Sequence, residues 1–174
     1  MMTQPSDYKY CPYDGEPLRR DPKAGDSRPE CSKCGFVDYQ NPKPCVAILI
    51  VRDDKLLLAR RRWEPAKGEW DIPGGFVDRG ESAEEAVARE ACEETTLRVR
   101  VTEYLGSVPD VYGSRQAPTI SLCFLVEILA GEPKARSDVE KLEWFSLDEL
   151  PGKMAFAHQE DVFELLKERM QGGG

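Results

Sequence analysis

Two apolar, β-branched runs open the patterned part of the chain. Residues 45–51 form the first, Asp53-Asp54 is a turn signal, and residues 55–60 return, which predicts a β-hairpin. A loop follows at 64–69, carrying Pro65 and Gly68, and then a short strand at 70–73 that stops at Gly74-Gly75. The pattern next becomes helical. Residues 83–94 are rich in Ala and Glu and hold neither Gly nor Pro, and Ser82 with Glu85 three positions on makes a capping box. Thr95-Thr96 ends that helix. Residues 97–105 and 120–128 read as strands, with a long loop between them containing Pro109, Gly113 and Pro118. A short strand at 142–145, a turn of helix at 146–150 and an amphipathic helix at 159–170, with Val162, Phe163 and Leu166 on its stripe, complete the pattern before a glycine tail expected to fray.

Residues 1–40 are of another kind. They are turn-rich, poor in aliphatic side chains and hold Cys11, Cys31 and Cys34, so they cannot build a hydrophobic core of their own. Asn41-Pro42-Lys43-Pro44 reads as a linker. A small N-terminal domain at 1–40 and a main domain at 41–174 are therefore expected.

Composition narrows the class. Among 174 residues, 40% are hydrophobic and 32% charged, as in a globular protein. No apolar run approaches the roughly 18 residues of a membrane span, and residues 1–7 lack the basic and apolar regions of a signal peptide, so a cytoplasmic protein without a membrane partner is expected. The formal net charge of −8 disfavours nucleic acid and membrane surfaces. It would also repel a phosphorylated substrate, unless divalent cations neutralise clustered carboxylates.

The cysteines divide into two groups. Cys45, Cys92 and Cys123 lie in apolar or helical surroundings and read as small buried hydrophobes. Cys11-x2-Asp14-x16-Cys31-x2-Cys34 has zinc-ribbon spacing, with Asp14 where a further cysteine would ordinarily stand. Thiolates suit Zn²⁺, and a carboxylate is an accepted though rarer ligand. His158, the one histidine, is distant in sequence and reads as a capping or surface residue.

Glu90, Glu93 and Glu94 fall within about a 100° arc of the predicted helix. Such crowding suits Mg²⁺ or Mn²⁺, hard ions that also bridge phosphate oxygens, but a solvated acidic face has the same pattern. Arg60, Arg61 and Arg62 close the second hairpin strand. Alternation sends Arg60 and Arg62 to one face and Arg61 to the other, either to clamp a diphosphate or to form a basic strand edge.

A resemblance that extends beyond the helix bears on the reading of the glutamates. Gly75-x5-Glu81-x7-Arg89-Glu90-Ala91-Cys92-Glu93-Glu94-Thr95-Thr96-Leu97 resembles the signature of the Nudix hydrolase family, and its order of strand end, glycine turn, loop and helix is present here without appeal to the match. Only Thr96 departs, standing where the family has glycine just past the helix. The resemblance implies an α/β fold, an α/β/α sandwich with a mixed β-sheet, preceded by a zinc-ribbon-like domain as in members similar to NADH pyrophosphatases. It implies Glu90, Glu93, Glu94 and the Gly74 carbonyl as ligands of Mg²⁺ or Mn²⁺, with Arg89 orienting glutamates and Glu81 tying the loop to the helix. The resemblance implies as general base either a glutamate of the helix or a carboxylate on a later loop, and Glu140 is chosen from the candidates in Asp138-Val139-Glu140-Lys141-Leu142-Glu143-Trp144. Arg60, Arg62 and Tyr112 are assigned to the substrate, and the segment between Leu105 and Ile120 to its selection.

The reaction implied is hydrolysis of the diphosphate linkage of a nucleoside diphosphate joined to another moiety. ADP-ribose or a similar nucleotide sugar stands first, because the Ser-Gln-Pro-Trp-Pro-Phe-Pro array of NADH pyrophosphatases is missing. A dinucleotide such as NADH or FAD is second and a nucleoside triphosphate third. A structural zinc and a homodimer are implied by the same analogy. A non-catalytic regulator binding a nucleotide or nucleic acid is the competing class, against which stand the retained Glu81, Glu90, Glu93 and Glu94.

Overall fold

β1 (Lys43–Arg52) is the strand around which the larger part of the molecule is organised. Its alternation is double-sided: Val46, Ile48 and Ile50 enter one core, while Ala47 and Leu49 enter the other. A strand apolar on both faces needs cover on both, and two helices supply it. α1 (Ala83–Thr95) contributes Ala86, Val87 and Ala91 to the first core, and α2 (Gln159–Gln171) contributes Val162, Phe163 and Leu166 to the second. The result is an α/β/α sandwich.

The structure, a computed structural model, describes residues 8–20, 28–114 and 116–172. It divides into two compact units, Met1–Pro42 and Lys43–Gly174. In the second unit β1 is followed by β2 (Lys55–Arg61), β3 (Trp70–Asp71), β4 (Gly74–Phe76), then, after α1, by β5 (Arg98–Tyr112), β6 (Ala117–Ala130) and β7 (Val139–Ser146). The order along the sheet is β3-β2-β1-β6-β5, with β4 paired to β1 and β7 to β2. β1 and β6 run parallel, from Lys43 opposite Thr119 to Ile50 opposite Val126, and the other pairings are antiparallel, so the sheet is mixed.

The two helices and the first hairpin stand where the pattern predicts them. Four expectations are corrected. The long loop expected around Pro109 and Pro118 is instead strand on both sides of a tight turn, because β5 pairs β6 from Arg98 to Tyr112. Pro109 is tolerated there because β5 ends the sheet, and Pro118 lies outside the stretch of β6 that pairs β1. The proposed linker is half strand, since β1 begins at Lys43. Residues 147–150 form a turn rather than helix, following a β7 longer than expected. The cysteines expected as buried hydrophobes separate: Cys123 is buried, Cys45 intermediate and Cys92 exposed. The glycine tail at 173–174 and the turn-rich stretch at 21–26 lie outside the described residues.

The first unit is built on two equivalent turns. Gly15 N–H donates to Cys11 O and Cys11 N–H to Glu16 O, and the pattern repeats as Gly35 to Cys31 and Cys31 to Phe36. Gly15 and Gly35 take nearly the same positive φ, 74° and 76°, where a side chain would be strained. Isolated bridges Arg19–Glu30 and Glu30–Val37 join the surrounding chain. Tyr8 and Tyr13 pack edge-on against Phe36.

Candidate active site and metal cluster

α1 begins with the predicted box. Ser82 Oγ accepts from Glu85 N–H at 3.2 Å, and Glu85 Oε2 accepts from Ser82 N–H at 2.7 Å. It ends on Thr96 in the left-handed conformation at φ 63°, and the Thr96 hydroxyl donates to Glu132 O at 2.8 Å. Left-handed backbone costs a non-glycine residue about 1–2 kcal/mol. The hydroxyl hydrogen bond offsets about 0.5–1.5 kcal/mol of that, so threonine serves where glycine would be easier.

Before α1 the chain changes partner. β3 pairs β2 and β4 pairs β1, with Gly74 opposite Ala47 and Gly75 opposite Val46. Neither glycine has room for a side chain. A Cβ at Gly74 would lie 2.0 Å from Val46 O, and one at Gly75 would lie 2.2 Å from Glu90 Oε1. The backbone thus runs directly against the α1 carboxylates, and Glu94 Oε2 accepts from Gly74 N–H at 3.0 Å.

Arg89 gathers the surrounding acids. Its Nη2 and Nε reach the two oxygens of Glu81 at 2.5 and 3.1 Å, Nη1 reaches Glu90 Oε1 at 2.7 Å, and Nη2 also donates to Phe76 O at 3.0 Å. Glu81 in turn accepts from Asp78 N–H at 2.6 Å, tying loop to helix. The Arg89 hydrogen bonds hold Glu81 below the usual carboxylate range. Burial acts the opposite way on Glu90 and Glu94. It raises both, and raises Glu94 well above normal, with the negative charge of Asp138 adding to the burial effect. Glu94 is 6% exposed. Glu93 faces outward, its side chain 53% exposed and 3.6 Å from Arg89.

A cavity of about 250 Å³ lies in front of this cluster. Glu90, Gly74, Gly75 and Asp138 line one part; Phe76, Tyr112, Phe156, Arg61, Asp71, Asp110, Ser121, His158 and Gln159 line the remainder. Tyr112 is flanked by Phe76 and Phe156, with ring centroids at 5.3 and 5.8 Å. Glu94 lies behind the cavity wall, against Gly74.

Several residues assigned from sequence stand elsewhere. Arg60 donates to Gly68 O and lies 3.8 Å from Glu140, both side chains well exposed, and Arg62 donates to Val139 O. None of the three lines the cavity, whereas Arg61 does. Alternation separates Arg61, which lines the cavity, from Arg60 and Arg62, which do not, even though the β2–β7 register shifts between Arg60 and Arg61; the expectation named the other face. Arg61 is held by Asp71 Oδ2 at 2.7 Å and Pro65 O at 2.7 Å, and it lies over the Phe156 ring. Asp138, two residues before Glu140, is the carboxylate that reaches the cavity.

His158 is likewise not a capping residue. It occupies the N-cap position of α2 but makes no side-chain cap hydrogen bond. Nε2 lies 3.2 Å from Ser121 Oγ, and Nδ1 lies 2.8 Å from Asp110 Oδ2 without an aligned hydrogen bond. The neighbouring Gln159 amide donates to Asp71, whose carboxyl is raised by burial and lowered in part by Arg61. No local signal marks Asp71, Asp110 or Gln159, since their meeting depends on chain segments 88 positions apart in the Gln159–Asp71 case.

In the N-terminal unit the four predicted donors converge. One ligand atom from each of Cys11, Asp14, Cys31 and Cys34 lies within 4.8 Å of all the others. Cys11 Sγ and Cys34 Sγ are 3.5 Å apart, and Cys31 Sγ is 3.6 Å from Asp14 Oδ1. A tetrahedral zinc thiolate site with 2.3 Å bonds has sulfur edges of roughly 3.8 Å, so the spacing fits that ion. The Glu16 N–H bond to Asp14 Oδ1 keeps the carboxylate in place and lowers its pKa.

The fold, the glycine turn and the acid-bearing helix are those of a diphosphate-cleaving class, and comparison identifies it. The profile described as NUDIX domain matches residues 41–166. The ADP-ribose pyrophosphatase of Methanocaldococcus jannaschii is 38% identical over 129 residues, which are 74% of this chain and 76% of that protein. The NAD-capped RNA hydrolase NudC of Stutzerimonas stutzeri is 32% identical over 151 residues, 86% of this chain but 52% of that protein, so the chain spans about half the length of this relative. A NUDIX hydrolase structure from Nitrosomonas europaea superposes with a TM-score of 0.73 at 26% identity, covering 95% of this chain and 92% of that one. The chain belongs to the Nudix hydrolase family.

Proposed function

We propose that the protein hydrolyses the diphosphate linkage of a nucleoside diphosphate joined to another moiety, with ADP-ribose or a similar nucleotide sugar as its first substrate. The carrying observation is that one cavity joins the acid cluster of Glu90 and Asp138 to an aromatic and polar wall at Phe76, Tyr112, Phe156, His158 and Gln159. The pyrophosphatase relative from M. jannaschii supports the substrate by name.

Nudix hydrolases depend on divalent metal, and the residues here fit a hard cation. Glu90 lines the cavity and Glu94 lies against Gly74, both carboxylates whose burial raises their pKa, so a nearby cation would favour their ionised form. Glu90, Glu94 and the Gly74 carbonyl would hold Mg²⁺ or Mn²⁺, with Glu93 as the third carboxylate of the set. A bound ion supplies an acidified water and polarised phosphoryl oxygens. The chain's own groups do the remainder. Arg89 holds Glu90 and Glu81 in register. Asp138, rather than the exposed Glu140, takes the proton from the attacking water. Arg61 turns positive charge toward the cavity, and Tyr112 with its two phenylalanines packs the base or sugar.

In the first unit, Cys11, Asp14, Cys31 and Cys34 hold a structural zinc. Residues 1–40 serve as a separate ribbon-like domain, and the protein works as a homodimer in the cytoplasm; no described helix is long and apolar enough to cross a membrane. The test is a panel of ADP-ribose, NADH, FAD and nucleoside triphosphates with Mg²⁺ and with Mn²⁺. ADP-ribose should be cleaved fastest, to AMP and ribose 5-phosphate. Cleavage of none of them under either metal would favour the non-catalytic regulator and end the enzymatic reading.

A further inference from the structure

The end of the cavity away from Glu90 and Asp138 receives one part of the substrate. Its inner groups select which part. Gln159 is 1% exposed, and its Oε1 has no hydrogen-bond partner although the amide nitrogen donates to Asp71. Asp71, paired with Arg61, fixes that amide orientation, because the nitrogen is the end a carboxylate accepts from. A buried acceptor left unpaired costs about 1–3 kcal/mol, which a ligand donor would recover. Beside it lie the Asp110 carboxylate, the His158 Nδ1 without an aligned hydrogen bond, and the hydroxyls of Ser121 and Thr119.

These groups are mostly acceptors, and two are carboxylates. A phosphate placed among them would face the Asp110 carboxylate, with the Arg61 charge already taken up by Asp71, and would be repelled. A neutral group with several donors is matched instead. Gln159 and Asp110 come from different elements, α2 and β5, and both line the cavity, so its acceptors suit a group that carries more than one hydroxyl. We infer that Gln159 Oε1, Asp110 and His158 form a hydroxyl-reading subsite that takes the terminal sugar of the substrate. This rests on the reading of the chain as a diphosphate hydrolase and adds the residues that distinguish a nucleotide sugar from a nucleoside triphosphate.

The test compares ADP-ribose with two analogues, one lacking the terminal 2′-hydroxyl and one carrying hypoxanthine in place of adenine, on wild type, Gln159→Leu and Asp110→Asn. Wild type should discriminate against the deoxy sugar by about tenfold in kcat/KM and accept the hypoxanthine analogue with little loss. Gln159→Leu should lose about three- to tenfold on ADP-ribose, the worth of one neutral hydrogen bond, and under twofold on the deoxy analogue. Asp110→Asn keeps the side-chain shape and should narrow the same ratio, which preserves the test if Gln159→Leu melts early. An unchanged ratio in both variants, or discrimination that follows the adenine amine, would overturn the subsite. Calorimetric binding of the same ligands separates the two claims. Sugar discrimination in binding without turnover would remove the hydrolase reading alone, and turnover without discrimination would remove the subsite alone.

Discussion

Replacing Gly75 with alanine should abolish activity while leaving the fold standing, and Gly74→Ala should do the reverse in emphasis. At Gly75 the added Cβ meets Glu90 Oε1 at 2.2 Å and Cδ at 2.6 Å, the far end of a side chain that can swing away. Swinging it breaks the 2.7 Å pair with Arg89 and moves the carboxylate by on the order of 1 Å, a displacement that costs a reaction about a hundredfold. The stability terms nearly cancel. Removing a glycine from the unfolded chain stabilises by about 0.4–1 kcal/mol, and the lost, partly exposed ion pair offsets up to about 1 kcal/mol. Thermal melting should therefore shift by no more than about 4 °C for a domain of this size. At Gly74 the new Cβ would lie 2.0 Å from the Val46 carbonyl, and backbone inside a sheet cannot step aside cheaply. That variant should lose about 3 kcal/mol or more, on the scale of an overpacked core. The assay is kcat on ADP-ribose at saturating Mg²⁺, with a melting curve on the same preparation. Gly75→Ala that keeps kcat within twofold, or that melts as early as Gly74→Ala, would refute the claim that this glycine exists to let Glu90 approach.

Asp138→Asn should lower kcat by about a hundredfold or more, as loss of a general base does, whereas Glu140→Gln should change it by less than twofold; kcat of both variants on ADP-ribose at saturating Mg²⁺ checks the assignment. Without divalent metal, Glu94 has a folded pKa above its unfolded value, so the native state binds the extra proton and stability falls as pH rises from about 4.5 upward. Glu94→Gln should flatten that slope in melting curves and, with metal present, lower turnover by orders of magnitude. Elemental analysis of protein purified without chelator should find about one zinc per chain. Asp14→Ala should lower that occupancy and Asp14→Cys should raise resistance to chelation, read by a zinc indicator dye.

The reaction class and the clustering of the helix acids were legible from sequence, and much of the cavity lining was not. Glu81, Arg89, Glu90 and Glu94 lie on one loop and one helix, so fixed spacing determines their geometry, and even the awkward cap at Thr96 was foreseeable from the missing glycine. The cysteine cluster was legible for the same reason, as two short turns repeated. The place of Arg61 on the cavity was not foreseen because alternation separates the two faces of a strand without saying which of them the sheet turns toward the cavity. Strand pairing also decided the segment around Pro109 and Pro118: turn-forming residues there were overridden by the ladder from Asp110 opposite Thr119 to Tyr112 opposite Ala117. His158 and Gln159 read locally as the start of a helix. Their meaning comes from Asp110 and Asp71, brought in from β5 and β3.

The long β5–β6 hairpin has a consequence for how such a protein can change. The glycine turn and the acid-bearing helix come from β4 and α1, between Gly74 and Glu94, while the opposite part of the cavity lining comes from the far end of the hairpin at Asp110, Tyr112, Thr119 and Ser121, and from the start of α2. Among the described residues of the hairpin tip, Gly113, Ser114 and Gln116 belong to neither core. Its length and composition are therefore free to vary without disturbing the scissile machinery. A lineage, or an engineer, has in that ribbon an exchangeable nozzle on a fixed cutter.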